Sequence, residues 1–390
     1  MLCEQKFEEI YKAAPEALSF CPYRICPLGA HVDHNLGKVN GFAIDKGIHI
    51  AFRPKLNGVI ELCSLQFEKR AQWHVRGVSE VRQMDWADYL RGVTIELGNR
   101  YPLVNGLSGV IEGSLPIGGL SSSAAVCIAF LKALCYVNNI HLDAQDAIMI
   151  AKAAENNYVG VECGKLDQSC EMLGKAGHLL YLDCRDDSCE LIPQNPAMKP
   201  FDILVFFSGL ERNLSGSAFN MRVDELRSAA YALKAFEGMP YGKFKETNMR
   251  DVDPELFRKS AGKLPETWRK RAEHWFGEFE RVEKGVEAWR RGDIEEYGRL
   301  VFESGWSSIE KWETGSEELK TLYEIMKRTE GIYGGRFSGA GFKGCCMALA
   351  DPSQSESILR SVEDSYCRRF PGLKDKYKAA ICHSADGTRI

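Results

Sequence analysis

Between an apolar run, Gly109-Val-Ile-Glu-Gly-Ser-Leu115, and a long apolar helical pattern, the chain reads Pro116-Ile-Gly-Gly-Leu-Ser-Ser-Ser-Ala-Ala125. A strand, a tight glycine loop and a helix opened by small polar residues leave the backbone few options here. Gly118 and Gly119 permit conformations closed to other residues. The helix that follows turns its unsatisfied N–H groups and positive dipole end toward the loop. A loop of this kind favours an anion, most often a phosphate. An ordinary turn ahead of a serine-capped helix uses the same residues, so the stretch alone leaves both readings open. It is not a Walker A sequence, because no Gly-Lys-Ser/Thr follows the glycines, and it is not the dinucleotide fingerprint. A nucleotide bound here is held in another way.

The 390 residues leave room for two domains of about 150 residues each. Net charge is −4 and the charges are scattered, which argues against nucleic acid as a partner. The first ten residues, Met1 to Ile10, are too charged for a secretory leader, and no apolar segment reaches the ~20 residues of a membrane span. A cytoplasmic, enzyme-sized monomer is expected. The 14 cysteines include no Cys-x-x-Cys pair and no zinc spacing; they read as small buried hydrophobes kept reduced.

Two short strand-like runs are expected within Lys38–Phe52 and another in Gly58–Leu65, with a helix over Trp86–Gly98. Ser121–Val137 reads as an apolar helix. His178–Asp183 and Phe201–Phe207 read as strands bracketing a domain junction marked by Pro193, Asn195, Pro196 and Pro200. Trp268–Trp289 is an amphipathic helix whose charges suit a solvated face. The pattern is α+β rather than a regular βαβ alternation.

Three further segments concentrate chemistry. Gly334–Gly344 holds five glycines in eleven residues, as an unusual hairpin or as backbone brought close to a ligand or another chain segment. Pro22–Asn35 gathers Arg24, His31, Asp33, His34 and Asn35 around a glycine. His31-x-x-His34 has the look of a metal pair, but no carboxylate or cysteine completes it, and recognition of a polar ligand suits it better. Gly160–Gln168 puts Asp167 ahead of a helical run, as a helix cap or as a general base.

Taken in order, Arg24…His31-x-Asp33, Pro116-Ile-Gly-Gly-Leu-Ser-Ser-Ser-Ala124, Leu166-Asp-Gln168 and Ser338-Gly-Ala-Gly-Phe-Lys-Gly344 resemble the GHMP kinase superfamily, in its galactokinase branch. Trp86–Gly92, His178–Cys184 and Arg291–Leu300 extend the resemblance over nearly the whole chain. It implies an N-terminal mixed α/β domain (1–195), a C-terminal ferredoxin-like domain (196–390) and an active site between them. It implies transfer of the γ-phosphate of ATP to the anomeric C1 hydroxyl of a sugar. Asp167 matches the aspartate that accepts the hydroxyl proton. Arg24 matches the arginine beside it, whose fixed charge keeps Asp167 ionised and offsets charge on the transferring phosphate. Pro116, Gly118, Gly119, Leu120, Ser121, Ser122, Ser123 and Ala124 form the nucleotide loop. Ser123 and Glu155 match positions associated with Mg²⁺, which favours hard oxygen ligands.

The departures concern the sugar. The family's first motif usually reads Gly-Glu-His-Thr-Asp-Tyr; here it is Gly29-Ala30-His31-Val32-Asp33-His34. In galactokinases that glutamate bonds the 6-hydroxyl of galactose, and against a C6 carboxylate it would repel. Ala30 removes the repulsion, and His31 or His34 supplies hydrogen bonds or, if protonated, positive charge. D-galacturonate fits this site, and residues 22–31 resemble galacturonokinases in particular. A neutral galactose site remains the alternative. Phe219 takes the place of a sugar-contacting tyrosine, and Ala340 that of a common glycine. Some galactokinase-like proteins bind sugar and ATP as regulators with little catalysis; here Arg24, Asp167 and the Ser121–Ala125 loop are all present. Mevalonate and homoserine kinases lack the His31-x-Asp33 motif in this form.

Overall fold

The computed structural model describes residues 1–210 and 217–390. The first half holds α1 (Leu2–Tyr11), β1 (Ala17–Ile25), β2 (Lys38–Lys55), β3 (Val59–Ser64), β4 (Ala71–His74), α2 (Asp88–Gly98), β5 (Gly106–Gly113), α3 (Ser122–Val137), α4 (Ala144–Ala153), α5 (Leu166–Leu173), β6 (His178–Asp183) and β7 (Cys189–Pro193). The second holds β8 (Asp202–Phe207), α6 (Ser217–Phe236), α7 (Pro254–Ser260), α8 (Glu266–Arg291), α9 (Ile294–Glu310), α10 (Glu317–Arg328), β9 (Ile332–Phe337), β10 (Cys345–Ala350), α11 (Ser355–Arg369) and β11 (Lys378–Cys382).

The first sheet runs β4-β3-β5-β2-β6-β7, with β1 also on β2. The two runs expected within Lys38–Phe52 are one 18-residue strand. Its N-terminal end pairs β6 and its C-terminal end pairs β5, while β1 pairs along the middle. Asp45 and Lys46 lie at a bulge, where the register slips between Pro22 and Tyr23. A bulge bends a strand without ending it. Against this sheet packs α3, apolar almost all round because both flanks are covered: Ala124, Ala125, Ile128, Phe130, Leu131 and Leu134 are fully buried.

The second sheet is fully antiparallel, in the order β11-β8-β10-β9. With α6–α10 between β8 and β9, and α11 between β10 and β11, the path is β-α-β-β-α-β. That is the ferredoxin-like arrangement. The proline-rich segment after β7 carries the chain from one sheet to the other. Beyond β11 the chain returns to the first sheet: Phe20 pairs with Arg389 and Ile44 with Ser384. We therefore propose the 195/196 division with the last residues joined to the first unit.

Two tryptophans anchor α8, Trp275 among the residues of α6 and Trp289 against Phe42 and Phe201. Burying an aromatic side chain of this size stabilises the fold by about 3 kcal/mol. Twelve of the 14 cysteines are buried; Cys163 is half-buried and Cys189 exposed. Among the described residues no helix is long and apolar enough to cross a membrane.

Candidate active site

A cleft lies between the two halves. Arg24, Ala30, His31, Asp33, Gly119, Ser121, Ser123, Glu155 and Asp167 line it from one side, with Phe219, Arg336 and Ala340 on the other. Three chain segments converge on it: the end of β1, the loop into α3, and the first turn of α5.

Arg24, near the end of β1, is buried, with 4% of its side chain exposed against 27% for Asp167. Its Nε donates to Asp167 Oδ1 at 2.6 Å and its Nη1 to the Gly119 carbonyl at 3.1 Å. The arginine stands behind and the carboxylate faces the cleft. Burial opposes the charge on Arg24, but the Asp167 carboxylate outweighs it and lifts the guanidinium pKa above its ordinary value.

Ser121 precedes α3 in the left-handed conformation, at φ 58°. Its hydroxyl makes no cap to the helix and instead donates to Asp167 Oδ2. The serine-cap reading therefore fails at this residue. With no side-chain cap, the first N–H groups of α3 are left for an anion. The two glycine-rich segments meet here. A Cβ on Gly119 would lie 2.5 Å from Cys345 Sγ and 3.1 Å from the Ser338 carbonyl, and one on Gly339 would lie 2.9 Å from Gly119 Cα. The 334–344 stretch is thus a hairpin, and its turn packs backbone to backbone on the loop before α3.

Ser123 and Glu155 both reach the cleft. Gln168 Nε2 donates to Glu155 Oε2 at 2.6 Å, which fixes that carboxylate. Among the described residues no group of three or more His, Cys, Asp or Glu side chains is arranged to hold a metal. A hydroxyl and a single carboxylate fit Mg²⁺, which keeps water and substrate phosphate among its ligands. Of the remaining loop residues, Pro116 is exposed, Ser122 half-buried, and Gly118, Leu120 and Ala124 buried beneath the surface. These five flank the cleft without lining it; the Leu120 carbonyl accepts from Arg24 N at 3.4 Å.

Loop 26–37 forms the other end. The Leu166 N–H donates to Asp33 Oδ2 at 3.3 Å. Burial, then the nearby Asp167, push the Asp33 pKa up. His31 stacks on Trp312, ring centroids 5.2 Å apart and planes within 6°, and lies 6.3 Å from Phe219. Its Nε2 is buried and has no partner. His34 does not line the cleft; it packs edge-on to Phe219 and shares a 2.9 Å hydrogen bond between its Nδ1 and Asn35 Nδ2. The expected positive charge from these histidines is corrected by their burial. Desolvation lowers His34 to about 3 and His31 well below its ordinary value. Both are neutral at pH 7 and act only as hydrogen-bonding groups.

Sequence reasoning missed the residues that hold this loop from below. The α8 charges are not all a solvated face: Arg271, His274 and Glu278 are completely buried. Glu278 Oε2 accepts the Gly29 N–H at 2.9 Å, the Ala30 N–H at 3.2 Å and the Ser304 hydroxyl at 2.8 Å. Arg281, then His274 and Arg336, overcome the burial penalty and hold Glu278 down at about 2. His274 bonds the Ala30 carbonyl through Nε2 at 2.9 Å and Ser307 through Nδ1 at 2.9 Å. The available signal was spacing, since these three polar residues share the stripe of Ala272, Trp275, Val282 and Trp289.

Three family models match the chain: the GHMP kinases N terminal domain over 87–175, the GHMP kinases C terminal domain over 286–368, and the galactokinase galactose-binding signature over 5–54. The chain is 37% identical to the galacturonokinase of Arabidopsis thaliana, covering 95% of this chain and 92% of that one. It is 30% identical to the galactokinase of Chloroflexus aurantiacus, covering 98% and 95%. Among solved structures, a galactokinase of Lactococcus lactis complexed with galactose superposes with a TM-score of 0.89 at 25% identity, covering 99% of this chain and 98% of that one.

Proposed function

The chain belongs to the GHMP kinases, in the branch of the galactokinases, and from that premise we propose that it phosphorylates the anomeric C1 hydroxyl of D-galacturonate. It is an ATP-dependent sugar 1-kinase; the sugar acid and the residue roles are our reading. One observation carries the choice of sugar. Ala30, where galactokinases carry glutamate, is on the cleft wall, and its N–H and C=O are both tied down by α8. No carboxylate of loop 26–37 takes the vacated place, since Asp33 is turned to the Leu166 N–H.

In this reading Asp167 is the base. Arg24 holds one of its oxygens and Ser121 the other, and each carboxylate oxygen has a second lone pair free for the sugar hydroxyl. As the C1 oxygen bonds to the γ-phosphorus, the bond from phosphorus to the bridging oxygen of ADP breaks and the hydroxyl proton passes to Asp167. Phosphoryl transfer needs mainly positioning and charge stabilisation. Arg24 supplies fixed charge, and the uncapped start of α3 supplies backbone donors for the phosphates. Ser123 and Glu155 would hold Mg²⁺, which neutralises phosphate charge when bound. His31 offers its unpartnered Nε2 to a sugar oxygen, and Phe219 closes the cleft over it.

ATP consumption over matched concentrations of D-galacturonate, D-galactose and D-glucuronate tests the assignment. Preference for galacturonate is expected. Preference for galactose would sink the sugar-acid reading, and ATP binding without turnover on any sugar would favour a regulator.

A further inference from the structure

Resting on the assignment of Asp33 and Phe219 to the sugar end of the cleft, we propose that Asn220 is a positioning residue that clasps the two walls of that end together. Its carboxamide carries an acceptor and a donor, and one short stretch of backbone takes both. Oδ1 accepts the Glu162 N–H at 3.1 Å, and Nδ2 donates to the Gly160 carbonyl at 2.9 Å. Asn220 stands on α6 in the second half of the chain and loop 160–164 belongs to the first, so both bonds join the halves.

The neighbours of the clasp give it its consequence. Phe219, the residue before it, lines the cleft with its ring centroid 6.3 Å from that of His31. Val161, Cys163 and Gly164 line the cleft from the loop. At Gly164 the loop backbone presses on the sugar segment, where an added Cβ would collide with the Asp33 carboxylate. Asn220 therefore fixes Phe219 relative to the backbone that supports Asp33.

A second tie lies two turns along the helix. Arg227 pairs with the Glu162 carboxylate, the two side chains being 11% and 27% exposed. Residues seven apart share a helix face, so one face of α6 holds Glu162 twice, by its N–H and by its carboxylate. Arg222 secures the helix to its own half, its Nε donating to the Trp312 carbonyl at 3.1 Å. The phosphate loop is held elsewhere, by the backbone contact of Gly119 with Gly339. Loosening the clasp thus disturbs the sugar and spares the nucleotide.

The test is calorimetric titration of the wild-type, N220A and M221A proteins with ATP, and with whichever of D-galacturonate and D-galactose the wild type binds more tightly. Asn220 is only half-buried, so N220A is expected to fold. Its sugar Kd should rise about fivefold or more, for the loss of two hydrogen bonds, while its ATP Kd moves less than about twofold. M221A, whose side chain is 51% exposed, should leave both constants unchanged. Equal weakening of both ligands by N220A would mark a structural role and overturn the inference, as would an unchanged sugar Kd. A double-mutant cycle with F219A adds a second check. The two losses should overlap, because the clasp acts through the seat of that ring, and strictly additive losses would overturn the inference. Tighter wild-type binding of galactose would count against the sugar-acid reading alone, since the clasp presents nothing to C6, and the N220A comparison is then read with galactose.

Discussion

Arg24 Nε donates to Asp167 Oδ1 at 2.6 Å, joining a strand end and a helix start that are 143 residues apart in the chain. With the Ser121 hydroxyl on the other oxygen, the pair fixes the orientation of the carboxylate at the cleft. Asp167→Asn keeps the shape and removes the proposed base. It should lower kcat by about 10²–10⁴-fold while leaving the chain folded and ATP binding near the wild-type value, with a lower melting temperature because buried Arg24 loses its charged partner. Isothermal titration with ATP beside turnover assays checks both halves, and near-normal kcat would remove Asp167 from its role. Arg24→Lys should also lower kcat, since a point charge cannot serve Asp167 and the Gly119 carbonyl as the fork does.

Ser121 gives its hydroxyl to Asp167 rather than to its own helix. Removing it takes one hydrogen bond to a carboxylate, worth about 1.5–3 kcal/mol. Ser121→Ala should therefore lower kcat by about tenfold or more, with little change in thermal stability because no helix cap is lost. A fall in melting temperature with unchanged kcat would show that the serine serves the fold instead.

Local strings were the legible part. The glycine-serine loop, the Arg24 and His31-x-Asp33 segment and Asp167 are each short, and each carries its chemistry in adjacent residues. The α+β character was legible for the same reason. Glu278 and His274 were not, because their partners in loop 29–30 lie more than 240 residues away in the chain, and Arg336 was not, because its partners Ser304 and Ser308 stand on another element. A glutamate on an amphipathic helix reads as solvated until loop 29–30 is laid over it. The single long β2 was hidden too, since a bulge and a strand break look alike in a list of residues.

His274 is buried and held neutral, its pKa lowered to about 4 by desolvation. Its unfolded value is near 6.5, so between pH 6.5 and 4 the unfolded chain binds the extra proton. Stability from this group is complete above pH 6.5 and is lost as pH falls through that window. Glu278, held near 2, contributes a loss only below about pH 4.5. His274→Gln should therefore show a shallower fall in melting temperature from pH 7 to 5 than the wild type, though a lower starting value. Parallel curves would mean that His274 does not take part in the titration.

Glu171 works in the opposite direction. It sits four residues after Asp167 on α5, is fully buried, and neither of its side-chain oxygens has a partner. Burial first, and the charge of Asp167 second, push its pKa well above the usual carboxylate range. The folded protein keeps this group protonated, whereas the unfolded chain ionises it above about pH 4.5. The cost to the fold thus grows as pH rises from there toward the folded value. Glu171→Gln has nearly the same shape and no proton to hold. It should raise the melting temperature at pH 8 and change it by almost nothing at pH 4. A scan of the variant and wild type at both values decides the matter. A gain of equal size at both pH values would trace the effect to packing, and a loss at pH 8 would mean that the carboxyl finds a partner in solution.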